Sequence, residues 1–136
     1  MSFLLDTNVV SEVMRLEPQP LVLEWLERHE NECFLSAVTV GEIERGIQLL
    51  PAGRKKNRLQ EAYTTFLNST EDRVLSFDLI VARRWANLTG TARRKGRTLS
   101  MMDSMIEATA LHWGLTLVTR NTTDFIETPT LNPWQK

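Results

Sequence analysis

Acidic side chains recur in this chain at points where a folded chain changes direction. Asp6 directly follows the apolar triplet Phe3-Leu4-Leu5, and Glu42 comes shortly after Cys33-Phe34-Leu35-Ser36. Asp103 stands just beyond Ser100, and Asp124 follows Leu115-Thr116-Leu117-Val118. Each acid taken singly has a structural reading. Thr39-x-x-Glu42 and Ser100-x-x-Asp103 fit or nearly fit a capping box, and Asn121-x-x-Asp124 has similar spacing. An acid in the first turn of a helix also gains about 0.3–1 kcal/mol from the helix dipole. Taken together they suggest a different chemistry. Carboxylates that converge repel one another, and one or more must protonate unless a cation neutralises them. Oxygen ligands without a Cys/His cluster favour Mg²⁺ or Mn²⁺ over zinc. Such a site suits phosphodiester hydrolysis, because the cation acidifies a water and stabilises charge on the attacking and leaving oxygens. No histidine base is then needed, and His29 and His112 both fall where helices should end.

The elements that must position these acids alternate between short apolar runs and helical segments. Phe3–Leu5, Cys33–Ser36, Val74–Phe77 and Leu115–Val118 read as strands, with a last extended piece around Leu131 to Trp134. Helices are expected from Asn8 to Arg15, from Pro20 to His29, after Thr39 with Glu42 in the first turn, and from Arg54 through Leu67. Asp78 should cap the long helix that ends near Gly96. Ser100 should cap the next, which buries Met102, Met105, Ile106, Thr109 and Trp113 and stops at Gly114. Strands separated by helices imply parallel pairing with helices on both faces of one sheet. In open sheets of this kind, ligands collect at the carboxyl ends of the strands. The acids are placed at or near such ends.

Composition narrows the classes further. A chain of 136 residues with ordinary apolar content and mixed charge is expected to form one domain over residues 1–136. The formal net charge is −1, so a global basic field is absent although local patches remain possible. Asp6 arrives before any signal-like apolar region forms, and no run approaches the length of a membrane span, so a cytoplasmic protein is expected. The single cysteine, Cys33, precedes Phe34 and Leu35, which favours an inert buried thiol over a nucleophile.

At residue level the chain resembles a known family. Leu4-Leu5-Asp6-Thr7-Asn8-Val9-Val10-Ser11-Glu12, the stretch Ser36 to Ile43, the stretch Asp103 to Ala110 and the stretch Leu117 to Phe125 look like the four blocks of PIN domains in order. The resemblance is closest to VapC/FitB-type toxins, and Asn132-Pro133-Trp134 is similar to the tail of FitB-type members. It implies a three-layer α/β/α sandwich and a Mg²⁺- or Mn²⁺-dependent ribonuclease. It also implies inhibition by a cognate, DNA-binding antitoxin and a homodimer. Carried over, Asp6, Glu42 and Asp103 are the core metal-site acids and Asp124 the fourth, although some relatives place that acid where this chain has Asn121. Thr7, Asn8, Thr119 and Asn121 are then polar supports. Glu107 stands where the family commonly has alanine; it is read as a solvated residue at the helix edge, the alternative being an outer carboxylate of the site.

RNA has to be held by cations, since phosphate neutralisation dominates affinity. Arg93, Arg94, Lys95 and Arg97 precede the Asp103 helix and are the favoured candidates. Most other basic residues read as solvated helix faces. Leu49, Leu50, Tyr63 and Phe66 fit an antitoxin groove, a dimer face or simply core. Two other functions fit the sequence less well. A PIN-like module without catalysis, acting as corepressor with a DNA-binding partner, gives the repelling acids no use. A phosphoacceptor or phosphohydrolase needs acid pairs that Asp6-Thr7-Asn8 does not supply.

Overall fold

Apolar triplets too short to stand alone become strands here because both of their faces are covered. The computed structural model describes residues 1–136. Its sheet has five strands, all parallel, in the order β3-β2-β1-β4-β5. These are β1 (Phe3–Leu5), β2 (Cys33–Ser36), β3 (Val74–Leu75), β4 (Thr116–Val118) and β5 (Thr130–Leu131). Side chains alternate across a strand. Phe3, Leu5, Cys33 and Leu35 therefore enter one core with Val9, Val10, Val22, Trp25, Ile43, Ile47 and Tyr63. Leu4 and Leu117 enter the opposite core with Ile106, Ala110 and Phe125.

Helices α1 (Thr7–Val13), α2 (Pro20–Arg28), α3 (Ala37–Gln48) and α4 (Arg54–Thr70) thus supply the first face. Helix α6 (Met101–Trp113) lies on the second, with α5 (Leu79–Arg94) packed outside it through Val81, Leu88 and Ala108. This is the expected three-layer arrangement. The order of strand addition reverses at β1, with β2 and β3 added toward one edge and β4 and β5 toward the other, so the crevice between β1 and β4 is the topological switch point.

Local signals set the helix ends. Asp6, Ser36, Asp78 and Ser100 are the N-caps of α1, α3, α5 and α6, each accepting a backbone N–H of the following turn. Gly114 ends α6 in the left-handed region at φ 65°, a conformation that a Cβ would strain. His29 and His112 sit at helix ends as expected, His29 stacked on Trp25 with a ring nitrogen 2.8 Å from the Trp25 carbonyl oxygen. Cys33 is buried, its thiol pushed up to about 12 chiefly by desolvation, which makes it an inert core group.

Several expectations are corrected. The cap of α3 is Ser36, not Thr39, so the Thr39/Glu42 capping box does not form and Glu42 falls in the second turn. Thr39 is buried inside the helix instead. Met102 and Trp113 are exposed, because α6 turns Ile106 and Ala110 to the sheet and Ala108 to α5. Glu107 is not solvated. It is 1% exposed, and its Oε2 accepts the backbone N–H of Glu127 at 3.0 Å, tying α6 to the loop before β5.

Burial, the largest influence, raises the Glu107 carboxyl above its ordinary value of 4.5, although the N–H of Glu127 opposes it. A raised carboxyl favours the fold below its unfolded value, and that contribution is lost as pH rises through the folded value. Glu107→Gln keeps an acceptor for Glu127 and removes the charge. It should raise the thermal midpoint at neutral pH, with the advantage shrinking as pH falls toward 4.5. Melting curves across that range check this, and an equal shift at every pH contradicts it.

Candidate active site

The switch-point crevice begins with Asp6. Leaving β1, its backbone N–H donates to Val118 O of β4 at 2.9 Å. Its carboxylate is 4% exposed and bonded on both oxygens. Oδ1 accepts the Thr7 N–H at 2.7 Å, and Oδ2 accepts the Thr119 hydroxyl at 2.7 Å. Asp6 is therefore both a helix cap and a member of an acidic site. Thr119 Oγ1 in turn accepts Asn8 Nδ2 at 3.3 Å and the Asn121 N–H at 3.0 Å, while Asn8 Oδ1 accepts the Arg120 N–H at 3.4 Å. One hydroxyl thus joins β1, α1 and the loop after β4.

Thr7 brings in α3. Its hydroxyl donates to Glu42 Oε1 at 2.6 Å and lies 3.4 Å from Thr39 Oγ1. Asp103 comes from the first turn of α6, where its N–H donates to Ser100 Oγ at 3.2 Å. Asp6, Glu42 and Asp103 line one cleft of about 420 Å³, together with Thr7, Asn8 and Asn121. Asp103 also lines an adjoining cavity of about 240 Å³ with Asp124, Glu107 and Arg97. Asn121 and Asp124 therefore flank Asp103 from separate cavities, Asp124 exposed on the one-turn helix Thr122–Asp124.

The electrostatics are strained as the clustering of acids requires. Burial raises the Asp6 carboxyl; the bonds from Thr119 and Thr7 oppose this, and the charges of Asp103 and Glu42 add to it. Burial also raises Asp103, followed by the Asp124 charge and, more weakly, that of Glu42. No three of the His, Cys, Asp and Glu side chains close into a preformed coordination sphere. An open oxygen-lined cleft of this kind suits a hard cation that keeps several waters and binds through few carboxylates. Zinc would require a tighter N/S set.

The basic stretch divides. Arg97 reaches the cavity of Asp103 and Asp124, and Arg93 lines a further one beside it. Arg94 donates to Thr91 and is exposed, as is Lys95 at the end of α5. Residues to which the sequence assigned no role at the site also line the main cleft: Ser11, Glu12, Arg15, Arg120 and Trp134. Ser11 and Glu12 lie three and four residues after Asn8 on α1, the spacing that shares a helix face, and Arg15 follows just past the C-cap Met14. Trp134 belongs to the tail noted for its resemblance to FitB-type members, but its place beside the cleft depends on β5 pairing with β4.

The PIN domain model matches residues 3–131, and the chain belongs to that family. Its place within the family is with the VapC/FitB toxins. It is 39% identical over 135 residues to Toxin FitB of Neisseria gonorrhoeae, covering 96% of this chain and 97% of that protein. It is 36% identical over 135 residues to VapC ribonuclease Y4jK of Sinorhizobium fredii, covering 96% of each. The structure of FitAB bound to an IR36 DNA fragment superposes with a TM-score of 0.89 at 37% identity, covering 98% of this chain and 96% of that one.

Replacing Thr119 tests the central bond. Thr119→Val leaves a buried Asp6 oxygen unpaired and should cost about 1–3 kcal/mol of stability at neutral pH. The loss raises Asp6 further, so the penalty should shrink as acid protonates it. Urea unfolding at neutral and acid pH measures both, and a penalty independent of pH contradicts the role given to Thr119.

Proposed function

We propose that this chain is the ribonuclease toxin of a type II toxin–antitoxin module, cutting RNA with Mg²⁺ or Mn²⁺ held among Asp6, Glu42, Asp103 and Asp124. The observation that carries this reading is the common cleft of Asp6, Glu42 and Asp103, brought together from β1, α3 and α6. Bound there, a divalent cation supplies Lewis acidity and a more acidic water, which is the chemistry that phosphodiester hydrolysis needs. The chain's own residues do the positioning. Thr119 and the Thr7 N–H orient Asp6 so that it acts as a ligand and not as a nucleophile. The Thr7 hydroxyl aims Glu42, and the α6 cap places Asp103. Asn8 braces Thr119 through its side-chain amide and Asn121 through its backbone N–H. Arg97, beside Asp103 and Asp124, takes RNA phosphate on that side.

The partner is a DNA-binding antitoxin, by analogy with the FitAB complex on DNA. The surface offered to it is the groove of about 760 Å³ between α2 and α4, lined by Leu23, Leu26, Ala62 and Phe66. Phe66 lines that groove, whereas Tyr63 is in the core with its hydroxyl donating to Glu44 at 2.6 Å.

The purified, antitoxin-free chain with Mn²⁺ or Mg²⁺ should cleave RNA, tRNA included, and chelation should stop it. Asp103→Asn should still fold and should lose about two orders of magnitude in rate or more, the scale on which a single charge-stabilising group acts. Gel-resolved time courses check this. Cleavage by Asp103→Asn at the parent rate would assign the activity to a contaminant.

A further inference from the structure

The carboxylate cleft poses a problem for any polyanion, because four acids, Asp6, Glu12, Glu42 and Asp103, line it and the chain has no overall positive field to offset them. Two cations share its wall, Arg15 and Arg120. Arg15 is engaged by the buried Glu12 at 3.4 Å, whose other oxygen accepts the Gln19 N–H at 3.0 Å. Arg120 is not engaged. It is exposed, belongs to none of the ion pairs, and bonds to the protein through its backbone N–H alone.

The Arg120 side chain is nevertheless placed. Its guanidinium carbon lies 5.2 Å from the centroid of the Trp134 ring. Trp134 itself is anchored, its backbone N–H donating to Asn132 Oδ1 at 2.8 Å while its ring packs on the main core. The chain before it is held by β5 and by the Thr119 N–H donating to Leu131 O at 2.9 Å. A guanidinium over an aromatic face keeps its in-plane N–H groups free, and that edge matches the oxygens of a phosphate. Arg120 also immediately follows Thr119, so the hydroxyl that orients Asp6 and this cation share one rigid stretch of backbone.

We infer that Arg120, carried on the indole of Trp134, is the phosphate-binding residue of the main cleft, with Trp134 as its positioning residue. The inference rests on the ribonuclease reading. It gives the strand a path across the acids, with Arg120 on the Asp6 side and Arg97 on the Asp124 side.

The test combines binding and cleavage. Binding of a fluorescent, mixed-sequence single-stranded RNA is titrated against KCl in the Asp103→Asn background, which should leave the RNA uncut. Arg120→Ala should weaken binding about tenfold at low salt and make the slope of log affinity against log salt shallower by about 0.7, the share of one phosphate contact. Arg120→Lys should restore the slope. Trp134→Leu should keep the slope yet weaken binding by about three- to fivefold, with Trp134→Phe close to the parent because it keeps a ring face. In otherwise unaltered protein with Mn²⁺, Arg120→Ala should raise KM for tRNA more than it lowers kcat, and Lys55→Ala on α4 should change neither. Parental cleavage with an unchanged KM and salt slope in Arg120→Ala overturns this inference and leaves the nuclease standing. A parent that neither binds nor cuts RNA overturns the nuclease reading itself.

Discussion

A buried carboxylate held between two strands is the constraint on which the rest of this structure depends. Asp6 has to leave β1 at the switch point, where neither sheet nor solvent can satisfy it fully. Thr119 at the end of β4 supplies one bond and the first N–H of α1 supplies the other. From that arrangement follow the direction of α1, the attachment of the loop after β4 through Asn8, and the reach of Thr7 to Glu42 on α3. Bonds to a charged group are worth about 1.5–3 kcal/mol each, enough to hold one geometry against looser alternatives.

The same arrangement leaves electrostatic tension in place. Desolvation and the charges of Asp103 and Glu42 all work against an ionised Asp6, and Asp124 works against Asp103. A purely structural site would relieve this by substituting an amide or an apolar group, since burying unbalanced charge is costly. Buried acids with perturbed protonation in a cleft are a mark of functional sites.

How much of this was legible in the sequence depended on whether the signal was local. Strand–helix alternation, the Asp78 and Ser100 caps, the Gly114 stop and the inert Cys33 were readable because each rests on a few adjacent residues. The positions of Asp6 and Glu42 after strands and of Asp103 after a cap pointed to their meeting in one cleft, whereas Asp124, grouped with them by the resemblance to PIN domains, lies in the adjoining cavity. Thr39 misled because a capping-box pattern recurs by chance near a real cap, and Ser36 stood nearer the strand end. Glu107 misled because a charge on a helix is ordinarily solvated, and no local feature showed that the loop at Glu127 would cover it. Arg120 and Trp134 were hidden for a related reason. Their meeting is made by β5 returning the tail beside β4, a tertiary event.

The central claim is that Asp6, Glu42 and Asp103 form one cation site. Manganese is paramagnetic, so a titration of the purified chain followed by electron paramagnetic resonance counts bound ions without relying on any RNA or activity. The parent chain should take up Mn²⁺, Mg²⁺ should displace it, and both Asp6→Asn and Asp103→Asn should weaken uptake severely while retaining their fold. Uptake by both variants equal to that of the parent would place the cation elsewhere and contradict the account.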